Sequence, residues 1–446
     1  MSKSQRKNDN RRVAAHAAWL VAALAAGSML AFAKTAAAAP PDFEARIRSG
    51  ELREANAEWW GFQPEDATAC LQAAIDSGAA RVVVPYMGAD WVVTPIRLRG
   101  NLELTFEPGV VVQAKQGEFK GKGDSLFSAA DESRVKITGY GATLRMRKQD
   151  YQNPPYEPAE WRMTLSLTGC TGVQVEGLRL ESSGGDGIYI GASAAQPYCR
   201  DVVIRNVLCL DHHRQGISVI TAENLLIENC LLSGTRGTAP QAGIDLEPNG
   251  ADERLVNCVI RNCVMEDNAG AGMLVYLKPL TAESLPVSIR FENCCVKSGA
   301  DQGMAVGAVR DGLQGSIEFV NCTVENTARG GAFVYDKSAD GAVVRFLGCK
   351  WGHAATAPAT SGPRAPLLIS LLRASITDHI GGIEFQDCVL YDGQDRPGLV
   401  AECDAERGRI TNVCGNLLIQ NPFGARVLLE PAEGAACTLT VSPASP

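Results

Sequence analysis

The chain has 446 residues, of which 46% are hydrophobic and 21% charged, a balance that argues against global disorder and against a multispan membrane protein. Its formal charge is −8, with 42 Lys and Arg against 50 Asp and Glu, so it has no basic excess for broad nucleic-acid binding. Five histidines make a His-rich metal protein improbable, whereas 45 glycines and 15 cysteines require an account.

The N-terminus reads as an address. Lys3, Arg6, Lys7, Arg11 and Arg12 precede an Ala-rich apolar run from Val13 to Ala33, and small residues close it at Ala36–Ala39 before Pro40. This is the layout of a cleaved export signal, with a single membrane anchor as the rival reading. Arg11-Arg12 leaves open the general secretory and the twin-arginine routes. The expectation is an exported protein, periplasmic or extracellular, free of the membrane once residues 1–39 are removed. The mature chain would carry about −13, which gives a polyanion no global attraction.

One domain is expected from 40 to 446. Pro64 to Ser77 reads as a helix, with Pro at its start and Leu71, Ala74 and Ile75 on one face. Strand-like runs follow at Arg81–Pro85, Trp91–Leu98 and Leu102–Phe106. Residues 146–162 read as an insertion carrying Tyr151, Tyr156 and Trp161.

From about residue 164 the chain repeats a short apolar strand, an Asn-Cys pair, a polar turn, and Gly followed by an alternating strand. The pairs are Asn229-Cys230, Asn262-Cys263, Asn293-Cys294 and Asn321-Cys322, with variants Gly348-Cys349 and Asp387-Cys388. The glycines are Gly187, Gly216, Gly243, Gly272, Gly303 and Gly331, spaced 27 to 31 residues apart. A period of this length without helical patterning signals a β-solenoid. Its coils stack ~4.8 Å apart, so equivalent residues form columns. The repeat cysteines then form an inward column of small hydrophobes; disulfides are the alternative that export permits. The asparagines form a ladder beside them, satisfying turn backbone groups. No CxxC pairing marks a metal site. A solenoid requires covered ends, so the cap is placed at 60–110, the regular coils at 130–415 and a C-terminal cover at 415–446. Residues 353–366 read as a loop interrupting the repeat.

The run Glu65-Asp66-Ala67 to Ala74-Ile75, then Val82-Val83-Val84-Pro85, then Leu102 to Gly109, resembles the N-terminal cap and first coil of the pectate-lyase-like β-helix superfamily. Ile137-Thr138-Gly139-Tyr140-Gly141-Ala142-Thr143-Leu144 and the coils after it resemble the same superfamily, so the likeness covers roughly 60–440. It implies an all-β, single-stranded right-handed parallel β-helix with a short capping helix. That fold hosts polysaccharide lyases, glycoside hydrolases, epimerases and phage tailspikes. Polygalacturonase-like hydrolases carry an Asp-Asp pair, a Gly-His-Gly and an Arg-x-Lys in order; Asp211-His212-His213 is a loose echo only.

Polar residues gather beside the Gly-strands of four consecutive units. Superposing the glycines places Asp186 over Gln215, Tyr189 over Ser218 over Asp245, and Glu247 beside Tyr276. Strand alternation turns Ile244 and Leu246 inward and Asp245 and Glu247 outward. Asp186, Asp245, Glu247 and Asp211 are the candidate catalytic carboxyls, because glycoside hydrolysis needs one acid and one carboxylate. Arg214 and Lys278 are candidates to hold a substrate anion or steady the carboxylates. His212, His213, Gln215, Tyr189, Asn249 and Tyr276 complete the candidate binding face, with Trp161 and Arg162 from the insertion. Tyr151, Tyr156 and Trp161 read either as sugar-stacking rings or as a plug on the coil side. The expected activity is hydrolysis of a polysaccharide or oligosaccharide. No cofactor is expected for it; a uronate lyase, the second reading, would use Ca²⁺. A uronate epimerase and a non-catalytic glycan-binding surface protein are the further alternatives.

Overall fold

Leu102–Phe106 buries Leu102, Leu104 and Phe106 and leaves Glu103 and Thr105 partly exposed, the period-two signature of a strand with one covered face. The same alternation recurs through Cys199–Arg205, Ala222–Glu228 and Leu255–Arg261. In the computed structural model, which describes residues 38–357, 365–403, 408–430 and 437–443, these runs are rungs of one solenoid. Nearly all of the proposed export signal and half of the 353–366 loop lie outside the described residues.

Each coil has three strands. One coil runs through Cys199–Arg205, Leu208–Leu210 and Ile217–Val219; the next runs through Ala222–Glu228, Leu231–Ser233 and Ile244–Leu246. Each strand pairs in parallel with its counterpart one coil on. The third strands form a parallel sheet of twelve, from Ile96–Arg97 to Val427–Leu429, among the described residues. The core is the cylinder enclosed by the three faces, and the chain is all-β apart from short helices.

The repeat signature has a backbone cause. Asn206, Asn229, Asn262, Asn293 and Asn321 all adopt φ of 50–55°, the left-handed region that Asn tolerates and most residues avoid. Gly348 and Asp387, the two variants, have φ of 64° and 52° at the same turn. Side-chain amides run coil to coil from Asn229 to Asn206, Asn262 to Asn229 and Asn293 to Asn262, at 3.3–3.4 Å. The ladder thus bonds side chain to side chain. The following Cys230, Cys263, Cys294, Cys322, Cys349 and Cys388 are buried free thiols in one inward column. Their Sγ atoms donate to backbone carbonyls, as Cys263 does to Arg261 O at 3.3 Å. Phe291, Phe319, Phe346 and Phe385 stack beneath, with centroids 5.0–5.2 Å apart.

Three boundaries differ from expectation. The capping helix α2 spans Thr68–Asp76, four residues short of the expected start, because Asp66 turns back to accept from Thr68 N and Oγ1. It buries Cys70, Leu71, Ala74 and Ile75 on the end of the core. A further short helix α1, Phe43–Arg48, precedes it and sets Phe43 edge-on against Trp59 and Trp60. Parallel stacking also begins earlier, with Glu54–Asn56 on Arg81–Val84, and does not stop near 415: Thr438–Pro443 still pairs with Arg409–Gln420.

Candidate active site

The twelve-stranded sheet positions the site. Its register stacks Tyr189 on Ser218, Ser218 on Asp245 and Asp245 on Leu274, the column read from the glycine spacing. Their neighbours Ile188, Ile217, Ile244 and Met273 fill the core, so the Tyr189 column faces out. Continued by one or two residues, the same register sets Asp186 over Gln215 and Glu247 beside Tyr276.

Outward does not mean exposed. Asp186 and Asp245 are both completely buried, and Glu247 is partly exposed. Arg214 Nη1 lies 3.5 Å from Asp186 Oδ2, with only 14% of its side chain accessible. Gln215 clasps the other carboxyl: its Nε2 donates to Asp245 Oδ2 at 2.9 Å while its Oε1 accepts from Ala242 N at 2.8 Å. Asp186 Oδ1 and Asp245 Oδ1 have no hydrogen-bond partner, nor do Ser218 Oγ and Arg214 Nε nearby. A buried carboxylate without partners is costly, so such groups take up a proton. Burial raises the Asp186 pKa to about 7, with Arg214 opposing and Glu160 and Glu247 adding to the rise. Burial and the Glu247 carboxylate alongside hold Asp245 well above the ordinary aspartate range. Three carboxyls on two coils therefore share fewer charges than their number.

A cleft of about 320 Å³ opens beside this cluster. Tyr189, Arg214, Ser166 and Asn249 line it together with Trp161 of the insertion, which is 49% exposed. Ser125, Gly123, Met163 and Ile220 complete the lining.

Four expectations are corrected here, those for Asp211, His212, His213 and Arg162. Asp211 sits in a left-handed turn at φ 56°, where it accepts from Lys148 at 2.7 Å and from Ser182 at 3.1 Å; it is a turn anchor. His212 is wholly buried with Nδ1 2.8 Å from Ser183 Oγ, and burial lowers its pKa to about 3, so it packs as a neutral ring. His213 is bonded through Nε2 to Thr238 Oγ1 at 2.9 Å on the turn. Arg162 points away from Trp161 into the protein, donating to Phe119 O, Lys120 O and Glu157 O and lying over the rings of Tyr151 and Tyr156. Those two tyrosines are buried, so this half of the insertion is a plug and only Trp161 reaches the cleft. Lys278 is exposed and lies outside the cleft lining.

The structure also adds residues. Glu160, next to Trp161, joins the charges felt by Asp186 and Arg214. On the far side, Tyr276 stacks with Tyr335 at 6.4 Å, and Arg373 Nη1 donates to Tyr276 Oη at 3.0 Å. Arg373 is fixed by buried Asp336, whose Oδ2 accepts from its Nε at 2.8 Å and whose Oδ1 accepts from Leu372 N and Arg373 N. Tyr335 reaches Tyr276 across Gly307, where a β-carbon would overlap the Tyr335 ring. Arg373 lies 97 residues from Tyr276, beyond any repeat signal. Among the described residues no group of three or more His, Cys, Asp or Glu is placed to hold a metal ion, and no helix is long and apolar enough to cross a membrane.

The class is the right-handed parallel β-helix. A family described as "Right handed beta helix region" matches residues 161–306, the coils that carry the site. Among solved structures, the family 28 exopolygalacturonase of Yersinia enterocolitica superposes with a TM-score of 0.56 over 87% of this chain and 78% of its own, at 11% identity. The A-module of the mannuronan C-5 epimerase AlgE6 of Azotobacter vinelandii gives 0.51 over 88% of this chain and 99% of its own, at 15% identity. These likenesses are of fold. By sequence, the uncharacterized protein YclG of Bacillus subtilis (strain 168) is 27% identical over 176 residues. That match covers 36% of this chain and 30% of YclG, less than a third of the relative's length. The chain thus has the right-handed parallel β-helix fold.

Proposed function

We propose that the chain is an exported glycoside hydrolase that cleaves a polysaccharide or oligosaccharide in the Trp161–Asn249 cleft. The observation that carries this reading is the pair of wholly buried carboxyls, each with an unpartnered oxygen, next to a partly exposed third and joined to a cleft through Arg214 of its lining. Such arrangements separate acid from base by environment. Asp245 and Glu247, ~6.6–7 Å apart along one strand, hold a proton between them, because adjacent carboxyls do not both ionise readily. The proton for the leaving oxygen is the one that burial and the Glu247 carboxylate hold on Asp245, relayed outward through Glu247, the member open to solvent. Asp186 takes a proton from the attacking water, with Arg214 holding it in place. The polysaccharide-acting proteins named by two structural neighbours support the substrate class, and the residue 1–39 pattern supports export.

The test is reducing-end release by the mature protein from a panel of neutral and acidic glycans. Glu247→Gln and Asp186→Asn should each lower turnover by about 10²–10⁴-fold, with circular dichroism unchanged. Activity should rise with pH through about 7 as Asp186 gives up its proton. Ultraviolet absorbance of unsaturated uronides in the digest would reassign the site to elimination, and unchanged turnover in both variants would remove these carboxyls from the mechanism.

A further inference from the structure

Arg373 lies just past Leu367–Ser370, the strand stacked one coil beyond Tyr335. The loop that carries it is held by Asp336, which accepts from Leu372 N and Arg373 N at 2.7 Å each. Those two backbone bonds fix the turn without the guanidinium. The guanidinium is nevertheless fixed as well. Its Nε donates to Asp336 Oδ2 at 2.8 Å, its Nη1 donates to Tyr276 Oη at 3.0 Å, and its carbon lies 5.7 Å from the centre of the Tyr276 ring. Nη2 has no partner among the described residues. The Arg373 side chain is 38% accessible, whereas that of Asp336 is wholly enclosed, so the ion pair shows solvent only its cationic end. An arginine that binds an anion ordinarily gives up rotamer freedom to do so. Here that freedom is already lost, and the open edge of the fork has the geometry that takes a carboxylate or sulfate.

The surroundings suit a sugar. Glu247, Tyr276, Gly307, Tyr335 and Ser370 follow one another in a single outward column, one per coil, so Arg373 stands on the sheet face that carries the carboxyl cluster. Phe333 stacks on Tyr335 at 4.7 Å, and Leu372 is 54% exposed beside the guanidinium. Half-buried rings, an exposed leucine and a fixed cation together match the apolar C–H surface and the charged substituent of an acidic sugar. The flanking acids of the column, Glu247 before Tyr276 and Glu402 after Ser370, bound the stretch in which an anion is favoured.

We infer that Arg373, held by Asp336 and Tyr276, is a binding subsite for the carboxylate or sulfate of a glycan unit lying beyond the carboxyl cluster. The inference rests on the glycan reading above and adds a position at which an anionic substituent is recognised.

The test is titration calorimetry on the full-length Glu247→Gln protein, with and without Arg373→Gln. The probes are an oligogalacturonate beside its carboxyl-reduced counterpart and a sulfated galactan oligosaccharide beside its desulfated counterpart. The acidic member of at least one pair should bind, and Arg373→Gln should weaken it by about tenfold or more while leaving the neutral member within about twofold. The pair that responds distinguishes carboxylate from sulfate. Arg373→Lys keeps a charge opposite buried Asp336 and so guards against misfolding; with an unchanged melting curve it should still lose most of the acidic binding, because the fork is gone. Binding of no acidic probe, or equal binding with and without Arg373, overturns the inference. Reducing-end release by the wild-type protein separates this outcome from the hydrolase reading. Arg373-dependent binding without turnover would sink hydrolysis and leave the subsite standing. Turnover that Arg373→Gln does not change, with no Arg373-dependent binding, would do the reverse.

Discussion

Asp186 carries a stability cost that depends on pH. Its pKa is about 7 in the folded protein against 3.8 in the free residue, so between those values the folded state binds the proton and the unfolded state does not. Unfolding then releases protons, and stability falls as pH rises from about 4 to about 7. Fully expressed, a shift of this size corresponds to about 4 kcal/mol. Asp186→Asn removes the titration, so its melting temperature should exceed that of the wild type at pH 8 by more than at pH 4. Scanning calorimetry at the two pH values checks this; an equal difference at both would mean that Asp186 ionises normally. His212 works in the other direction. Held neutral with its pKa near 3, it favours the folded state above about 6.5 and loses that contribution as pH falls toward 3. The two ranges overlap from about 4 to about 6.5, where their opposite slopes cancel, so together they give a stability plateau that falls away on either side.

At the scale of the element, the Asn turn joins two requirements in one residue. Its backbone needs the left-handed region, and its amide supplies a rung to the coils above and below. Asn262, at φ 54°, donates to Asn229 and accepts from Asn293. Asn262→Gly keeps the backbone and loses the rungs. Asn262→Ala loses the rungs and adds about 1–2 kcal/mol of backbone strain. In urea unfolding the alanine variant should therefore be the less stable, by about that difference. Equal stabilities would show that the ladder, and not the φ angle, is what selects asparagine. The occurrence of Gly348 at the equivalent turn indicates the backbone as the stricter condition.

For the whole molecule, the stack of coils replaces covalent staples. Burial raises the thiol pKa of Cys258 to about 12 and those of Cys263 and Cys294 well above the ordinary value, so thiolate, the reactive form, is suppressed there; hydrogen bonds from neighbouring thiols lower Cys170 and Cys349, which burial alone shields from a reagent. The twelve buried cysteines should stay unreactive toward a disulfide reagent in the native protein and react together on denaturation without reductant. A shortfall in thiols released on denaturation would reveal disulfides formed after export.

Periodicity made the architecture legible. A 27–31-residue spacing with Gly and Asn-Cys marks is a statement about coils, and in a parallel stack the register between coils follows from the spacing. That is why the Tyr189–Ser218–Asp245 column and the inward cysteines were readable, and why the outward side of Asp245 was too. What a repeat cannot encode is what lies over it. The burial of Asp186 and Asp245, the turning of Arg162 into the protein and the retirement of Asp211, His212 and His213 to turn packing all depend on loops that leave the period. Arg373 reaches Tyr276 from 97 residues away for the same reason. The sequence by itself determined the solenoid and the column of side chains on its outer face, because both are local consequences of alternation and repeat length. Only the tertiary structure decided which of those side chains are dehydrated, paired or open to a ligand, because dielectric and access are set by neighbours distant in the chain.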